Sequence, residues 1–493
     1  MLQRTAIIVG AGIAGLSTGC YARMNGWNTR IFEMHERPGG LCTAWSRKGY
    51  IFDGCIHHLA GAGPASRYRP IWEELGAADL EMEFPETFVR CEDASGRQFN
   101  VYTDLERLAG HMREIAREDE RLIARFIGGV RRFANFELLA VPLYRPFEMI
   151  KIARHLTALP RWMRISTSDF AARFKNEFLR RVFGYIQYGM ADIPMGVHLA
   201  FLAGCHNRTL GVPRVDSLTF AQAIEERYLG LGGQVQYCSP VERILVEGGR
   251  AVGVRLSDGS EHRADLVVSA ADGHSTIFGM LEGKYCSDLI RTYYNNPSTG
   301  PQPFAIQVSL GVARELTEEP PSLLYFIDDP VQIAGMERDR LSVRLYSGPP
   351  FAPPRGGAMI ISLDSTHEHW ARLHRDPALY REAKAAAAER VINVLEQRFP
   401  GLRGQVEAVD VATPLTTERI TGNYHGLQAW GAPSGFLKVM MGGLSRTLPG
   451  LQDFYMVGHW AEAMIGISTA ALSGRRLIQR LCREYRRPFK TLP

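Results

Sequence analysis

Residues 6–33 constrain this chain more than any other stretch. Ala6-Ile7-Ile8-Val9 is a short apolar run rich in β-branched residues, the composition of a strand buried on both faces. It leads into Gly10-Ala11-Gly12-Ile13-Ala14-Gly15, with Gly19 four residues on, and Leu16 to Met24 reads as a helix. A second run, Thr29-Arg30-Ile31-Phe32, ends at Glu33. Each part has a physical task. Gly10 permits a tight turn, Gly12 lets the backbone approach a pyrophosphate, and Gly15 and Gly19 let the helix pack closely on the sheet. The helix start, with Ile13 and Ala14, offers free N–H groups and a partial positive charge to phosphates. Glu33, followed by Met34, stands where a carboxylate accepts hydrogen bonds from an adenosine ribose. A chance glycine turn would not bring strand, helix, second strand and acid into register. The expectation is an α/β, Rossmann-like dinucleotide-binding unit.

Such a unit takes either NAD or FAD, and the next segment discriminates. Glu36-Arg37-Pro38-Gly39-Gly40-Leu41-Cys42-Thr43 follows the acid, and Tyr50-Ile51-Phe52-Asp53-Gly54 comes after it. This pattern resembles the two-dinucleotide-binding flavoproteins, in which a Gly-Gly turn after the ribose acid runs along FAD. The resemblance places Gly39, Gly40 and Leu41 at the cofactor. That group usually has arginine after the paired glycines, where this chain has Leu41; Arg37 or Arg47 could supply the missing cation.

Two later segments extend the likeness. A helix over 216–229, with Asp216 or Ser217 as N-cap, leads to the Gly232-Gly233 turn. Strands are expected at 234–238, 241–247, 250–256 and 265–272. An ordinary β-meander reads the same way, but the flanking motifs favour a second FAD segment, with the Val241 backbone at the adenine edge. Near the end, Phe454-Tyr455-Met456-Val457 runs into Gly458-His459-Trp460, and a helix starts at Gly466-Ile467-Ser468-Thr469-Ala470. A small-residue helix start lets an N–H group approach a flavin carbonyl, and the helix dipole favours negative charge there. Together with Thr413-Pro414-Leu415-Thr416, Thr421-Gly422 and Gly426, these motifs resemble the phytoene desaturase, carotenoid isomerase and retinol saturase group. His459 departs from the aspartate that the group commonly carries after the last glycine.

The resemblance implies a discontinuous FAD domain at 1–85, 205–285 and 415–493. A mixed-sheet substrate domain with a helical lid would fill 86–204 and 286–414. Strands are expected there at 303–312, 322–327, 341–347 and 357–363, with a helix at 378–398. With 493 residues, 45% apolar and 22% charged, the chain has an ordinary soluble composition. A net charge of +5 is too thin an excess to suggest nucleic acid. The eight cysteines form no C-x-x-C pair, so neither a zinc ribbon nor a dithiol centre is expected. Neither His198 with His206 nor His367 with His369 has a clear third ligand, so no metal is expected. No apolar run reaches membrane-spanning length, and no signal peptide is evident. A cytoplasmic enzyme is the expectation, with peripheral contact on the inner face of the membrane as an open alternative.

Residues 140–165 are where such a contact would arise. Large apolar residues such as Phe147, Ile150 and Trp162 interleave with Arg145, Lys151, Arg154, Arg161 and Arg164, a pattern suited to a helix pair on an anionic bilayer. A lid packed on the substrate domain, with solvated arginines, is the reading favoured over membrane contact. For catalysis, His57 and His58 are the candidates, because an imidazole near neutral pKa can move a proton, with a structural role beside the flavin as the equal alternative. Tyr188, His206, Tyr424 and Trp430 are weaker candidates, better suited to lining an apolar tunnel. The implied function is an FAD-dependent oxidoreductase acting on a long isoprenoid or polyene-like substrate by desaturation, saturation or double-bond isomerisation. Quinone or oxygen would serve as electron acceptor. A flavin amine oxidase, and a redox-inactive lipid-binding flavoprotein, are the alternatives.

Overall fold

The computed structural model describes residues 4–134, 136–288, 290–291, 302–427, 445–462 and 466–492. Among them, five strands form a parallel sheet in the order Gln234–Gln236, Asn28–Phe32, Thr5–Val9, Leu266–Ser269, Phe454–Met456. The central strand Thr5–Val9 is apolar throughout its buried part because helices cover both faces of such a sheet. The order brings together segments more than 400 residues apart, and all three expected dinucleotide segments enter one sheet. The β-meander reading is also present, as a separate three-stranded antiparallel sheet of Val241–Glu247, Arg250–Leu256 and Glu261–Arg263.

Helix Ile13–Met24 is buried on nearly every face. It packs against helices Ser217–Gly230 and Ile467–Glu484. Ser17 Oγ donates to the Ala471 carbonyl at 2.6 Å, and a side chain at Gly19 would lie 2.6 Å from the Tyr228 ring. Gly19 therefore serves helix–helix contact, where helix–sheet packing was expected. Gly15 does serve the sheet side: a Cβ there would collide with the Gly10 carbonyl and lie 3.2 Å from Ala270 Cβ.

The second sheet has seven strands among the described residues. Their order is Val406–Ala412, Gln302–Val312, Gly357–Ser365, Met336–Ser347, Ser322–Ile333, Thr87–Asp93, Gln98–Tyr102. Every pair is antiparallel except Ser322–Ile333 with Thr87–Asp93. The strands of residues 302–365 run longer than expected, because Ser322–Ile333 and Met336–Ser347 continue to a tight Ala334-Gly335 hairpin. Helix Pro377–Arg398 covers this sheet through Ala387, Val391, Ile392, Val394 and Leu395.

Residues 86–204 are less purely helical than expected, since Thr87–Asp93 and Gln98–Tyr102 extend the large sheet. Helices Leu105–Ile115, Glu120–Phe133, Pro146–Met163 and Met195–His206 follow. Residues 140–165 form the end of a 3-10 turn, Leu138–Leu143, and one helix, where a helix pair was expected. Ile152, Trp162 and Met163 are buried against the helical core, whereas Phe147 and Ile150 are 60% and 79% exposed. No helix among the described residues is long and apolar enough to cross a membrane.

Candidate functional site

A cavity of about 730 Å³ opens between the parallel sheet, the large sheet and the helical segment. Its size and largely apolar lining are those of a small-molecule site. Gly10, Gly12, Ile13, Ala14, Glu33, Met34, Gly39, Gly40, Leu41, Val241, Gly458, His459, Gly466, Ile467 and Ser468 all line it, as do His57 and His58. Of the candidate site residues, Gly15 alone stands behind the wall, in its packing role.

The glycine-turn end is built by backbone. The Gly10 N–H donates to the Phe32 carbonyl at 2.8 Å, and the Gly39 N–H donates to the Ala11 carbonyl at 2.9 Å. Gly39 has φ +107°, and a side chain there would strike the Cys42 carbonyl, so the paired-glycine turn lies flat against Gly12. Helix Ile13–Met24 has Gly12 as N-cap, and helix Ile467–Glu484 has Gly466. Neither cap has a side-chain bond, and neither first turn holds an acid. Two helix starts therefore offer unsatisfied N–H groups and positive dipole ends beside the same cavity.

Glu33 does more than the sequence suggests. Its Oε2 accepts from the Ala11 N–H at 2.6 Å and its Oε1 from the His35 N–H at 2.9 Å, so it also holds the glycine turn. Burial raises its pKa, opposed by those bonds. Among the described residues, three buried polar atoms of cavity-lining side chains lack partners: His459 Nε2, Asp272 Oδ2 and Arg344 Nε. Burial raises the Asp272 carboxyl to about 6, although its Oδ1 accepts from the Ser275 N–H at 2.7 Å. Unpartnered buried polar atoms, uncapped helix starts and a glycine cradle are what a dinucleotide would complete. Neither Arg37 nor Arg47 lines the cavity; they pair with Glu36 and Asp410.

At the other end, His58 Nδ1 and the Tyr188 hydroxyl share a hydrogen bond at 2.9 Å, and the His57 ring lies 4.9 Å from that of Tyr188. Burial lowers the His58 pKa to about 3 and takes His57 well below its usual value, with Arg344 adding to both. The titration near neutrality expected of these imidazoles is thus absent, and both are neutral there. Asp53 Oδ1 accepts from the Ser217 N–H at 2.7 Å, and burial raises its pKa. Asp53, Arg344, Tyr346 and Asp272 line the cavity without having been singled out as site residues. Asp53 had a signal in its Phe-Asp-Gly turn; Arg344 had none within its own strand.

The weaker candidates separate. Tyr188 lines the cavity. His206 bonds the Thr103 carbonyl at 3.0 Å near the surface. Tyr424 stacks between His274 and His425. Trp430 lies outside the described residues. His198 pairs with Gln187 at 2.8 Å, and among the described residues no group of three or more metal-ligating side chains gathers.

The buried histidines set an acid limit on stability. Burial lowers His58 and His198 to about 3 and His459 to about 4. Each lies below the unfolded value near 6.5, so the unfolded chain binds more protons as acidity rises. Their contribution is complete above about pH 6.5 and falls by up to about 1.4 kcal/mol per unit per histidine below it. Urea unfolding at pH 7.5 and 5.5 will show the loss at the lower pH, and His198→Gln will reduce that difference. Equal stability at both values would contradict it.

Comparisons with known proteins agree with this architecture. Residues 8–75 match the NAD(P)-binding Rossmann-like domain. The chain is 23% identical to prolycopene isomerase of Daucus carota, over 95% of this chain and 78% of that protein. It is 26% identical to a lycopene-forming phytoene desaturase of a Paracoccus species over 55% of each. It is 22% identical to all-trans-retinol 13,14-reductase of Danio rerio, over 95% of this chain and 84% of that one. The resemblance read from the motifs is borne out by these relatives. Among solved structures, an oxidoreductase from Methanosarcina mazei superposes with TM-score 0.62 at 17% identity, over 96% of this chain and all of that one. Putrescine oxidase bound to putrescine superposes with TM-score 0.60 at 14% identity, over 98% and 99%. These two likenesses are of fold.

Proposed function

We propose that this chain, an enzyme whose relatives are carotenoid isomerases, carotenoid desaturases and a retinol reductase, is an FAD-dependent oxidoreductase of long apolar polyene or isoprenoid substrates. One observation carries the reading: a dinucleotide cradle and an apolar basin share a single cavity. Residues 1–85, 205–285 and 415–493 would form the FAD-binding part, with 86–204 and 286–414 enclosing the substrate.

Gly12, Gly39, Gly40 and the Ile13 helix start would hold the pyrophosphate, Glu33 the adenosine ribose and Val241 the adenine edge. The Gly466–Ser468 helix start would face the flavin carbonyls, and His459 Nε2 would find its partner on the cofactor. When bound, FAD supplies the redox chemistry, with quinone or oxygen as the electron acceptor in the desaturating direction. The protein's task is to orient the substrate and exclude water. His57 and His58 would act as neutral imidazoles at the reacting end, held in place through Tyr188 and not charged in the resting enzyme.

Product analysis tests the reaction. A polyene incubated with the FAD-loaded protein, oxidised and then reduced, should change in double-bond number or geometry in at least one state. Peroxide release from amines without any polyene conversion would replace this reading with the amine oxidase. That alternative has a physical objection: a protonated amine entering the cavity would meet the buried Arg344 cation. FAD and polyene binding without turnover would favour the redox-inactive alternative.

Peripheral attachment through Phe147 and Ile150, flanked by exposed Arg145, Arg161 and Arg164, is part of the proposal. Leu139, in the turn before this helix, lines the cavity, so an apolar substrate would have a short route inward. The protein should float with vesicles containing anionic lipid, and the double variant F147D/I150D should remain with the soluble fraction. Equal flotation of both would remove this face from the account.

A further inference from the structure

Among the described residues, Arg344 is a buried cation that takes part in no ion pair. It sits in strand Met336–Ser347, inside the seven-stranded sheet, paired with Ser322 on one side and Ile360 on the other. The residue is 9% exposed, and its Nε is buried without a hydrogen-bond partner. The guanidinium carbon lies 5.4 Å from the centroid of the Tyr346 ring. Among the described residues, Arg344 is the only arginine or lysine lining the cavity, and it forms no ion pair. Its charge is felt at Asp53, His57, His58, Tyr188 and Tyr346, none of which belongs to the Gly10–Gly15 turn. Asp53, the acid among them, is already engaged by the Ser217 N–H at 2.7 Å and the Tyr346 hydroxyl at 3.4 Å.

Burying an unpaired guanidinium is costly unless its partner arrives later. The planar fork suits a two-oxygen anion best. Phe304, Val197, Phe201, Ile193 and Leu139 line the same cavity and give it an apolar wall. A purely hydrocarbon ligand would leave the cation unsatisfied; a chain ending in a carboxylate would not. We propose that the ligand is an apolar polyene chain with a carboxylate terminus, and that Arg344 receives that carboxylate. The inference rests on the FAD–polyene reading and narrows its substrate class.

The test uses the FAD-loaded protein with two probes of equal polyene length, all-trans-retinoate and its methyl ester, titrated by the change in flavin absorption. Native protein should bind retinoate at least about 10-fold tighter than the ester, the strength of a charged hydrogen-bonded contact. R344Q should bind the two equally with unchanged flavin content, and R344K should keep part of the preference. Equal binding by the native protein would overturn the proposal while leaving the polyene reading in place. Loss of flavin from R344Q would overturn it too, by assigning the guanidinium to the cofactor. Failure of both probes to bind would remove the polyene reading and this inference together.

Discussion

Gly15→Ala should abolish cofactor retention: the variant is expected to purify colourless and to stay so after FAD is added. The methyl group would enter space held by the Gly10 carbonyl and press on Ala270. Neither neighbour can easily yield. The Gly10 N–H is tied to the Phe32 carbonyl at 2.8 Å, and the Ala270 N–H donates to the Val9 carbonyl at 2.9 Å, so both are anchored to the strand ends of the parallel sheet. Overpacking of this kind costs about 1–3 kcal/mol, and relief can come only by lifting the helix start away from the turn. That movement misplaces the N–H groups at Ile13 and Ala14. Flavin absorbance per mole of protein checks it, with far-UV circular dichroism confirming the fold. Native flavin content in the variant would show that the turn does not hold the pyrophosphate.

Glu74→Ala destabilises the protein by about 3 kcal/mol or more, as expected when one partner of a largely buried ion pair is removed. Glu74 is 8% exposed. Its Oε2 accepts from the Tyr21 hydroxyl at 2.6 Å and from Arg475 Nε at 2.8 Å, and its Oε1 accepts from the other arm of Arg475 at 3.0 Å. The carboxylate thereby joins the first helix to the last. Its own helix, Arg69–Glu74, follows Tyr68, whose hydroxyl donates to the Ser468 carbonyl in the first turn of the last helix. Removing Glu74 strands the Arg475 cation and loosens the helix start expected at the flavin. The urea midpoint should fall and FAD affinity should weaken with it. A stability change under about 1 kcal/mol would mean that the pair behaves as an exposed one.

The parts legible in the sequence were those whose chemistry is local. The Gly10–Gly15 turn, Glu33, Gly39-Gly40 and the Gly466 helix start each announce themselves within a few residues, because backbone approach and helix dipoles need particular residues at fixed spacing. Their convergence on one cavity was legible only through resemblance, since the parallel sheet joins strands hundreds of residues apart. Other features depended on tertiary context. Arg344 alternates with Leu341, Val343 and Leu345 as a solvent-facing residue would, and only coverage of both sheet faces buries it. His57 and His58 looked like groups titrating near neutrality, but enclosure removes the water that would stabilise their charge. In 140–165 the apolar residues looked uniform, yet the core claims Ile152, Trp162 and Met163 and leaves Phe147 and Ile150 outside. Residues 87–102 carry no local sign of their place in the large sheet, because strand Thr87–Asp93 is paired by Ser322–Ile333, far along the chain.

The central claim is that the cavity is a flavin site, and the visible absorption spectrum of the purified protein, before and after FAD addition, tests it most directly. Flavin bands at one FAD per chain, bleached by dithionite and restored by air, are the expected result. A protein that remains colourless with excess FAD would contradict the assignment of the Gly10, Gly39 and Gly466 turns to this cofactor, and with it the reading of the cavity.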